Sequence, residues 1–175
     1  KLEEKTHYVN SIRYPAFGGY QSFANKLFIG SNIINSCAVV KVDLQNNVVH
    51  CQNGDVYEYE NLISTIPLPQ LVPLVTNISP AAIKAAENLS CSELLLLNIE
   101  VDEVTNRPED WLYVYDEDKY CTRINFTEKL SKNNAPDKKS GIQVEVYFSK
   151  YKPFNGDIDS IGPAVVEELF EMGII

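Results

Sequence analysis

The residues best suited to chemistry are aromatic side chains on predicted strands in the second half of the chain. The chain holds ten tyrosines and one tryptophan, and residues two apart in a strand share one face of a sheet. Such a face can form an aromatic pocket with polar tips for an organic ligand, and ordinary core and cross-strand packing is the alternative. The residues concerned are Trp111, Tyr113, Tyr115, Tyr120, Tyr147 and Tyr151.

Arg123 lies in the same region, on a predicted neighbouring strand. Its guanidinium could hold a carboxylate or a phosphate through two parallel hydrogen bonds. An ion pair with the acidic turn at residues 116–118 is an equally good interpretation. Strand alternation predicts a core face of Tyr120, Thr122, Ile124 and Phe126, and an opposite face of Cys121, Arg123 and Asn125.

No nucleophile and base are spaced for covalent catalysis. The sequence contains no Gly-x-Ser-x-Gly motif and no Walker phosphate loop. With two histidines, His7 and His50, and no Cys-x-x-Cys pair, neither a catalytic side chain nor a metal site is predicted. Four isolated cysteines, interpreted as buried free thiols in a reducing compartment, predict a cytoplasmic protein; they are Cys37, Cys51, Cys91 and Cys121.

Composition and charge exclude several classes of protein. Hydrophobic residues make up 45% and charged residues 22% of the chain, which is ordinary for a globular domain. The net charge is −9 with scattered acidic residues, so a nucleic-acid partner is not expected. No apolar run approaches the roughly 20 residues of a transmembrane helix, and the charged segment at residues 1–5 does not resemble a signal peptide.

The elements that must position the aromatic residues predict an α+β fold, with a mixed or antiparallel sheet, packed helices and a small three-stranded β meander. The meander is expected at residues 38–44, 48–52 and 56–59, and a further strand at 61–66 ends at Pro67. Other strands are expected at residues 93–101, 111–115, 120–126 and 142–151. Helices are expected at residues 21–29, 69–75, 80–90 and 160–172, the last ending before Gly173.

Four segments, in this order, resemble the middle of flavoproteins of the amine-oxidase superfamily, which includes protoporphyrinogen-oxidase-like and UDP-galactopyranose-mutase-like members. Residues 13–15 with Gly18 and Gly19 resemble the segment before the family's meander, and residues 39–69 resemble the meander itself. The strands at 111–115 and 120–124 resemble the family's substrate-domain strands. Residues 167–175 resemble its helix before the last crossing to the FAD domain.

The resemblance implies FAD as cofactor and a small-molecule or sugar-nucleotide substrate. By resemblance, the main chain around Val39 lies near the adenine of FAD, and Ser64, Thr65 and Ile66 lie near the point where the cofactor leaves the sheet. Three side chains would face the substrate: Tyr113, Arg123 and Tyr147. The flavin would perform hydride transfer, so the resemblance implies no catalytic side chain.

The family's phosphate-binding Gly-x-Gly-x-x-Gly turn and its flavin-contacting C-terminal segment are absent from this sequence. The chain is therefore expected to be a central fragment of a flavin-dependent oxidoreductase or mutase, and to be inactive alone. The expected parts are a linker with the first helix of the substrate domain (1–37), an FAD-facing meander (38–68) and a substrate-binding domain (69–175). The alternative is a non-catalytic α+β module that recognises a carbohydrate or a protein partner.

Overall fold

The computed structural model describes residues 13–154 and 156–175, so His7 and the charged segment at 1–5 lie outside the described residues. The chain divides into two compact units. The first contains the described residues of 1–31, 94–147 and 155–175, and the second contains 32–93 and 148–154. Residues 69–93 thus group with the predicted meander, and the assignment of 69–175 to substrate binding stays a prediction.

The described residues confirm the predicted α+β class, with five α-helices and two sheets. The helices are α1 (Gly19–Leu27), α2 (Leu68–Leu71), α3 (Pro80–Glu87), α4 (Thr127–Leu130) and α5 (Ile161–Glu171). The strands are β1 (Val39–Asp43), β2 (Val48–Cys51), β3 (Val56–Glu58), β4 (Glu93–Val101), β5 (Trp111–Tyr113), β6 (Arg123–Phe126) and β7 (Ser140–Phe148). The first unit holds a four-stranded sheet in the order β4-β7-β6-β5, and the second holds the meander β1-β2-β3.

The core of the first unit lies between α5 and one face of the four-stranded sheet. From the sheet it takes Ile124 and Phe126 of β6 and the alternate residues of β7, all almost fully buried. On α5 the buried residues Ile161, Val165 and Leu169 recur every fourth position, which places them on one helical face. Gly162 of α5 lies beside Leu97 of β4, so the helix rests against this face of the sheet.

The end of α5 shows how the sequence fixes an element boundary. Gly173 adopts a positive φ of 64°, which a residue without a Cβ reaches at little cost. The Ile174 amide then donates to the Leu169 carbonyl at 2.9 Å, and the Gly173 amide donates to the Phe170 carbonyl at 3.0 Å. This Schellman arrangement closes the helix and turns Ile174 back into the core.

The meander of the second unit forms at the predicted positions. Its first turn is held by Asp43, whose carboxylate accepts from the Gln45 and Asn46 amides at 3.1 Å, and Asn47 has a φ of 55°. Beyond the meander, the Thr76 amide donates to the Val42 carbonyl at 2.9 Å, and Val75 forms a parallel bridge with Val42.

Two predicted features of the second unit are wrong. Residues 61–66 form no strand: the Ile66 amide bonds locally to the Ser64 hydroxyl, and Ile63 is 91% exposed. The prediction of four free thiols also fails, because Cys37 and Cys51 form a disulfide with their Cα atoms 5.5 Å apart. That bond ties the segment before β1 to the end of β2. Cys91 and Cys121 are free, as predicted.

In the first unit, β4 differs from the prediction of a buried strand. Its residues alternate between exposed and half-buried positions, because β4 is an edge strand with only β7 beside it. Across the part of the chain that the structure describes, no helix is long and apolar enough to cross a membrane.

Candidate functional site

The face of the four-stranded sheet turned away from α5 is the best candidate for a site, and we call it the open face. Strand alternation puts it opposite the buried residues Ile124, Val144 and Val146. It carries aromatic, amide and charged side chains in place of a continuous apolar surface. Its aromatic, amide and charged members are Asn98 of β4, Trp111 and Tyr113 of β5, Arg123 and Asn125 of β6, and Gln143, Glu145 and Tyr147 of β7. The exposed Leu94 and Leu96 of β4 lie on the same side as Asn98 by alternation.

One row of directly paired residues crosses three strands of the open face. Tyr113 is paired with Arg123, and Arg123 is paired with Glu145. Residues opposite one another in antiparallel strands have their side chains in contact distance. Register alone therefore brings a phenol, a guanidinium and a carboxylate together.

Glu145 is the buried centre of this row, with 4% of its surface exposed. Its Oε1 accepts from Nη2 of Arg123, and its Oε2 accepts from the hydroxyl of Tyr147. The hydrogen bond to Glu145, followed by burial, raises the pKa of Tyr147. The phenol thus stays protonated at neutral pH and acts as a donor to the carboxylate.

Arg123 and Tyr113 form the accessible part of the row. The Arg123 side chain is 36% exposed, and Tyr113 is 52% exposed. Burial lowers the pKa of Arg123, but hydrogen bonding to Tyr113 and Glu145 outweighs that effect, so the pKa lies above its usual value. The guanidinium is permanently charged and can present its remaining donors to a carboxylate or phosphate.

A second row on the open face is built from amides. Trp111 is paired with Asn125, and Asn125 with Gln143, whose side-chain nitrogen donates to Oδ1 of Asn98 at 2.9 Å. Amide side chains offer donors and acceptors without charge. Beside the charged row, they give the open face the mixed chemistry that a polar organic ligand requires.

A cavity of about 370 Å³ borders this second row, and the polar groups that line it bond mainly to one another. Asn98 lines it together with Thr127, Asn134 and Gly141. The Thr127 hydroxyl donates to the Gly141 carbonyl at 3.0 Å, and the Asn134 side-chain amide donates to the Thr127 carbonyl at 3.0 Å. These polar groups bind one another and hold α4 against the start of β7, so the cavity is part of the scaffold.

The three predicted substrate-facing residues Tyr113, Arg123 and Tyr147 lie together on the open face, which the sequence could only suggest. The alternative partner for Arg123 is wrong, because its ion pair is with Glu145 and not with the acidic turn at 116–118. Glu145 itself was missed, although alternation in β7 placed it on the wetter face. Whether these residues bind a substrate stays a prediction.

Two details of the predicted faces around Arg123 are also corrected. Strand β6 begins at Arg123, and backbone pairing continues back to Thr122 but not to Tyr120 and Cys121, so the predicted alternation ends there. Cys121 is buried, and its amide donates to the carboxylate of Glu168 on α5 at 3.0 Å. Tyr120, expected in the core, is 40% exposed.

The predicted cofactor-binding residues lie in the second unit. Val39 opens β1 and is paired with Cys51. Ser64, Thr65 and Ile66 follow β3 in an irregular segment, in which Ser64 and Thr65 are exposed, Ile66 is half-buried and no backbone–backbone hydrogen bond to other described residues is formed. Within residues 13–154 and 156–175, no three potential metal ligands lie together.

Residues 3–154 match the family model described as flavin containing amine oxidoreductase. Among curated proteins, no sequence matches the chain significantly.

Among solved structures, the fold is similar to a reduced UDP-galactopyranose mutase, with a TM-score of 0.75 and 24% identity over 93% of this chain and 37% of that one. It is also similar to an Exiguobacterium protein described as a candidate protoporphyrinogen oxidase, with a TM-score of 0.66 and 14% identity over 89% of this chain and 35% of that one. A Pyrococcus furiosus protein has a TM-score of 0.57 and 18% identity over 78% of this chain and 33% of that one. The chain thus spans about a third of the length of the solved structures it matches.

Proposed function

Because the chain belongs to the family of flavin-containing amine oxidoreductases, we propose that it is the substrate-binding part of a larger FAD-dependent enzyme, the whole flavoprotein. Its coverage of about a third of the matched structures supports this division. The first unit would hold the substrate, and the meander of the second unit would face the FAD domain.

The cytoplasmic location predicted from the cysteines loses part of its basis, since it rested on free thiols.

The substrate we propose is a sugar nucleotide, held on the open face. The observation that carries this proposal is the row Tyr113, Arg123, Glu145, with Tyr147 beside it. Arginine matches the geometry of a phosphate, aromatic rings cover the apolar faces of bases and sugars, and the amide row suits hydroxyl groups. The similarity to a UDP-galactopyranose mutase supports the same class of substrate.

For the cofactor, we propose that Val39, Ser64, Thr65 and Ile66 contact FAD. The segment at 61–66 fits that role, because it forms no backbone–backbone hydrogen bond to other described residues and its side chains Leu62 and Ile63 are exposed. The sequence has no turn for the pyrophosphate, which would be bound by another part of the whole flavoprotein. When bound, the flavin would supply the redox chemistry, and the residues of this chain would orient the substrate and exclude water.

Purified as the 175-residue chain, the protein is expected to carry no flavin. The physical reason is that the pyrophosphate would lack the backbone donors of a helix N-terminus, which provide much of the affinity for a dinucleotide. The visible absorbance of the chain, after incubation with FAD and gel filtration, measures this directly. A yellow protein that retains one FAD per chain would contradict the proposal that another part of the whole flavoprotein binds the pyrophosphate.

Replacing Arg123 with alanine in the whole flavoprotein tests the proposed substrate site. We expect the affinity for UDP to fall by about 1.5–3 kcal/mol, the range for hydrogen bonds to charged groups. Flavin content and melting temperature should change little. Isothermal titration with UDP gives the dissociation constant, and the flavin absorbance gives the occupancy.

The matched control is Arg107→Ala. Arg107 is in the same unit and forms an ion pair with Glu109 at 3.3 Å in the loop before β5. Its removal should leave the UDP affinity unchanged. If Arg123→Ala binds UDP as tightly as the parent and instead unfolds more readily, Arg123 is an ion-pair partner only, and the proposed site is wrong.

A further inference from the structure

Among the charged side chains of the open face, Glu145 is the buried one. It is not one of the three predicted substrate-facing residues, Tyr113, Arg123 and Tyr147. Burying a carboxylate costs free energy unless it is paired and hydrogen-bonded. Glu145 meets both conditions, because each of its oxygens accepts from a different side chain, Arg123 or Tyr147. Both donors are residues that we propose to bind the substrate.

The Arg123 guanidinium is held on one side, by Glu145, although another of its donors has no partner among the described residues. Its Nε is buried and has no hydrogen-bond partner in the described part of the chain. A free arginine side chain would turn to satisfy that donor, since leaving a buried donor unpaired is costly. The contact to Glu145 instead fixes the guanidinium through Nη2, while the side chain stays partly exposed.

We propose that Glu145 is a positioning residue: it holds the Arg123 guanidinium and the Tyr147 phenol in the orientation in which they bind the substrate. This inference rests on the proposed function of the open face. Glutamate suits the task because a carboxylate accepts at both oxygens, whereas a glutamine amide accepts at one and donates at the other. In a glutamine, the amide nitrogen would either face the guanidinium, donor against donor, or donate to the Tyr147 oxygen and turn that hydroxyl from donor to acceptor, and the negative charge would be lost in both cases.

Two other roles for Glu145 predict different outcomes. If Glu145 only balances the charge of Arg123, its neutralisation leaves an extra positive charge on the open face, and an anion binds more tightly. If Glu145 only stabilises the fold, its neutralisation lowers the melting temperature and leaves anion affinity unchanged. Positioning alone predicts weaker binding after removal of a negative charge.

The experiment uses the whole flavoprotein and UDP as the probe. Glu145→Gln is expected to raise the dissociation constant for UDP about tenfold or more, within the range for charged hydrogen bonds. Glu145→Asp keeps the charge but withdraws the carboxylate by one methylene, so it should also weaken UDP binding. If Glu145→Gln does not fold, Glu145→Asp is the variant that tests the proposal. Glu171→Gln is the control, since Glu171, the last residue of α5, forms an ion pair with Lys119 and is half exposed.

A double-mutant cycle with Arg123→Ala separates this inference from the function on which it rests. If Glu145 acts through Arg123, Glu145→Gln should have much less effect on UDP binding in the Arg123→Ala background. If Arg123→Ala alone changes nothing, the proposed function fails. If Arg123→Ala weakens binding while both Glu145 variants bind UDP as well as or better than the parent, only the positioning role is overturned.

Discussion

Replacing Phe126 with alanine is expected to lower the free energy of unfolding by about 3–5 kcal/mol, the usual cost of a cavity left by a phenylalanine. Phe126 is fully buried at the end of β6, where it is paired with Ile142 of β7. Because interiors are packed at crystal-like density, the surrounding residues collapse only partly into the space. The loss would fall on the sheet that carries the open face.

Urea unfolding followed by the fluorescence of Trp111 measures this effect. Trp111 is the single tryptophan of the chain and is paired with Asn125, the residue before Phe126. Phe170→Ala is the matched control, because Phe170 lies on α5 with 73% of its surface exposed. The control should change the unfolding free energy by less than about 0.5 kcal/mol. Equal effects of the two substitutions would show that the described core is wrong.

Replacing Glu168 with alanine is expected to lower the free energy of unfolding by about 3 kcal/mol, because two hydrogen bonds to a charged group are lost. The carboxylate of Glu168 accepts from the Tyr120 amide at 2.8 Å and from the Cys121 amide at 3.0 Å. Glu168 and Cys121 are both buried, so water cannot easily replace the lost acceptor. Alanine itself favours a helix, so the loss comes from the contacts.

The Cys121 thiol provides a second readout of the same change. Burial, and then the neighbouring Glu168, raise the pKa of Cys121 to about 12. At pH 8 the thiol is therefore almost entirely protonated and should react slowly with an alkylating reagent. In Glu168→Ala we expect Cys121 to react faster as the segment before β6 opens. Glu167→Ala, at the exposed neighbouring position, should alter neither stability nor reactivity.

The alternation and spacing of apolar residues predicted most helices and strands, because both patterns depend only on residues close together in the sequence. The strand β7 and the helix α5 illustrate this: each shows its period plainly, and each forms within two or three residues of the expected bounds. The open face follows from the same alternation. The family resemblance, built from four weak matches in order, is confirmed over residues 3–154.

The pairing between distant segments could not be predicted in this way. Arg123 and Glu145 meet because β6 and β7 align in one register, and a shift of one residue would have moved Glu145 to the other face. The acidic turn at 116–118 is nearer in sequence, so local reasoning offered it as the ion-pair partner of Arg123. Likewise, the disulfide of Cys37 and Cys51 depends on how the segment before β1 packs against β2.

The segment at 61–66 failed for a different reason. Its composition is typical of a strand, but a strand needs a partner, and none lies beside it among the described residues. The exposed Ile63 is consistent with cover supplied by another part of the whole flavoprotein. That interpretation belongs to the proposed division of the enzyme.

A crystal structure of the whole flavoprotein with bound UDP tests the central claim most directly. We predict that UDP lies on the open face, with a phosphate oxygen accepting a hydrogen bond from the Arg123 guanidinium while Glu145 retains its contacts to Arg123 and Tyr147. UDP bound elsewhere, with Arg123 contacting only residues of this chain, would contradict the assignment of the open face as the substrate site.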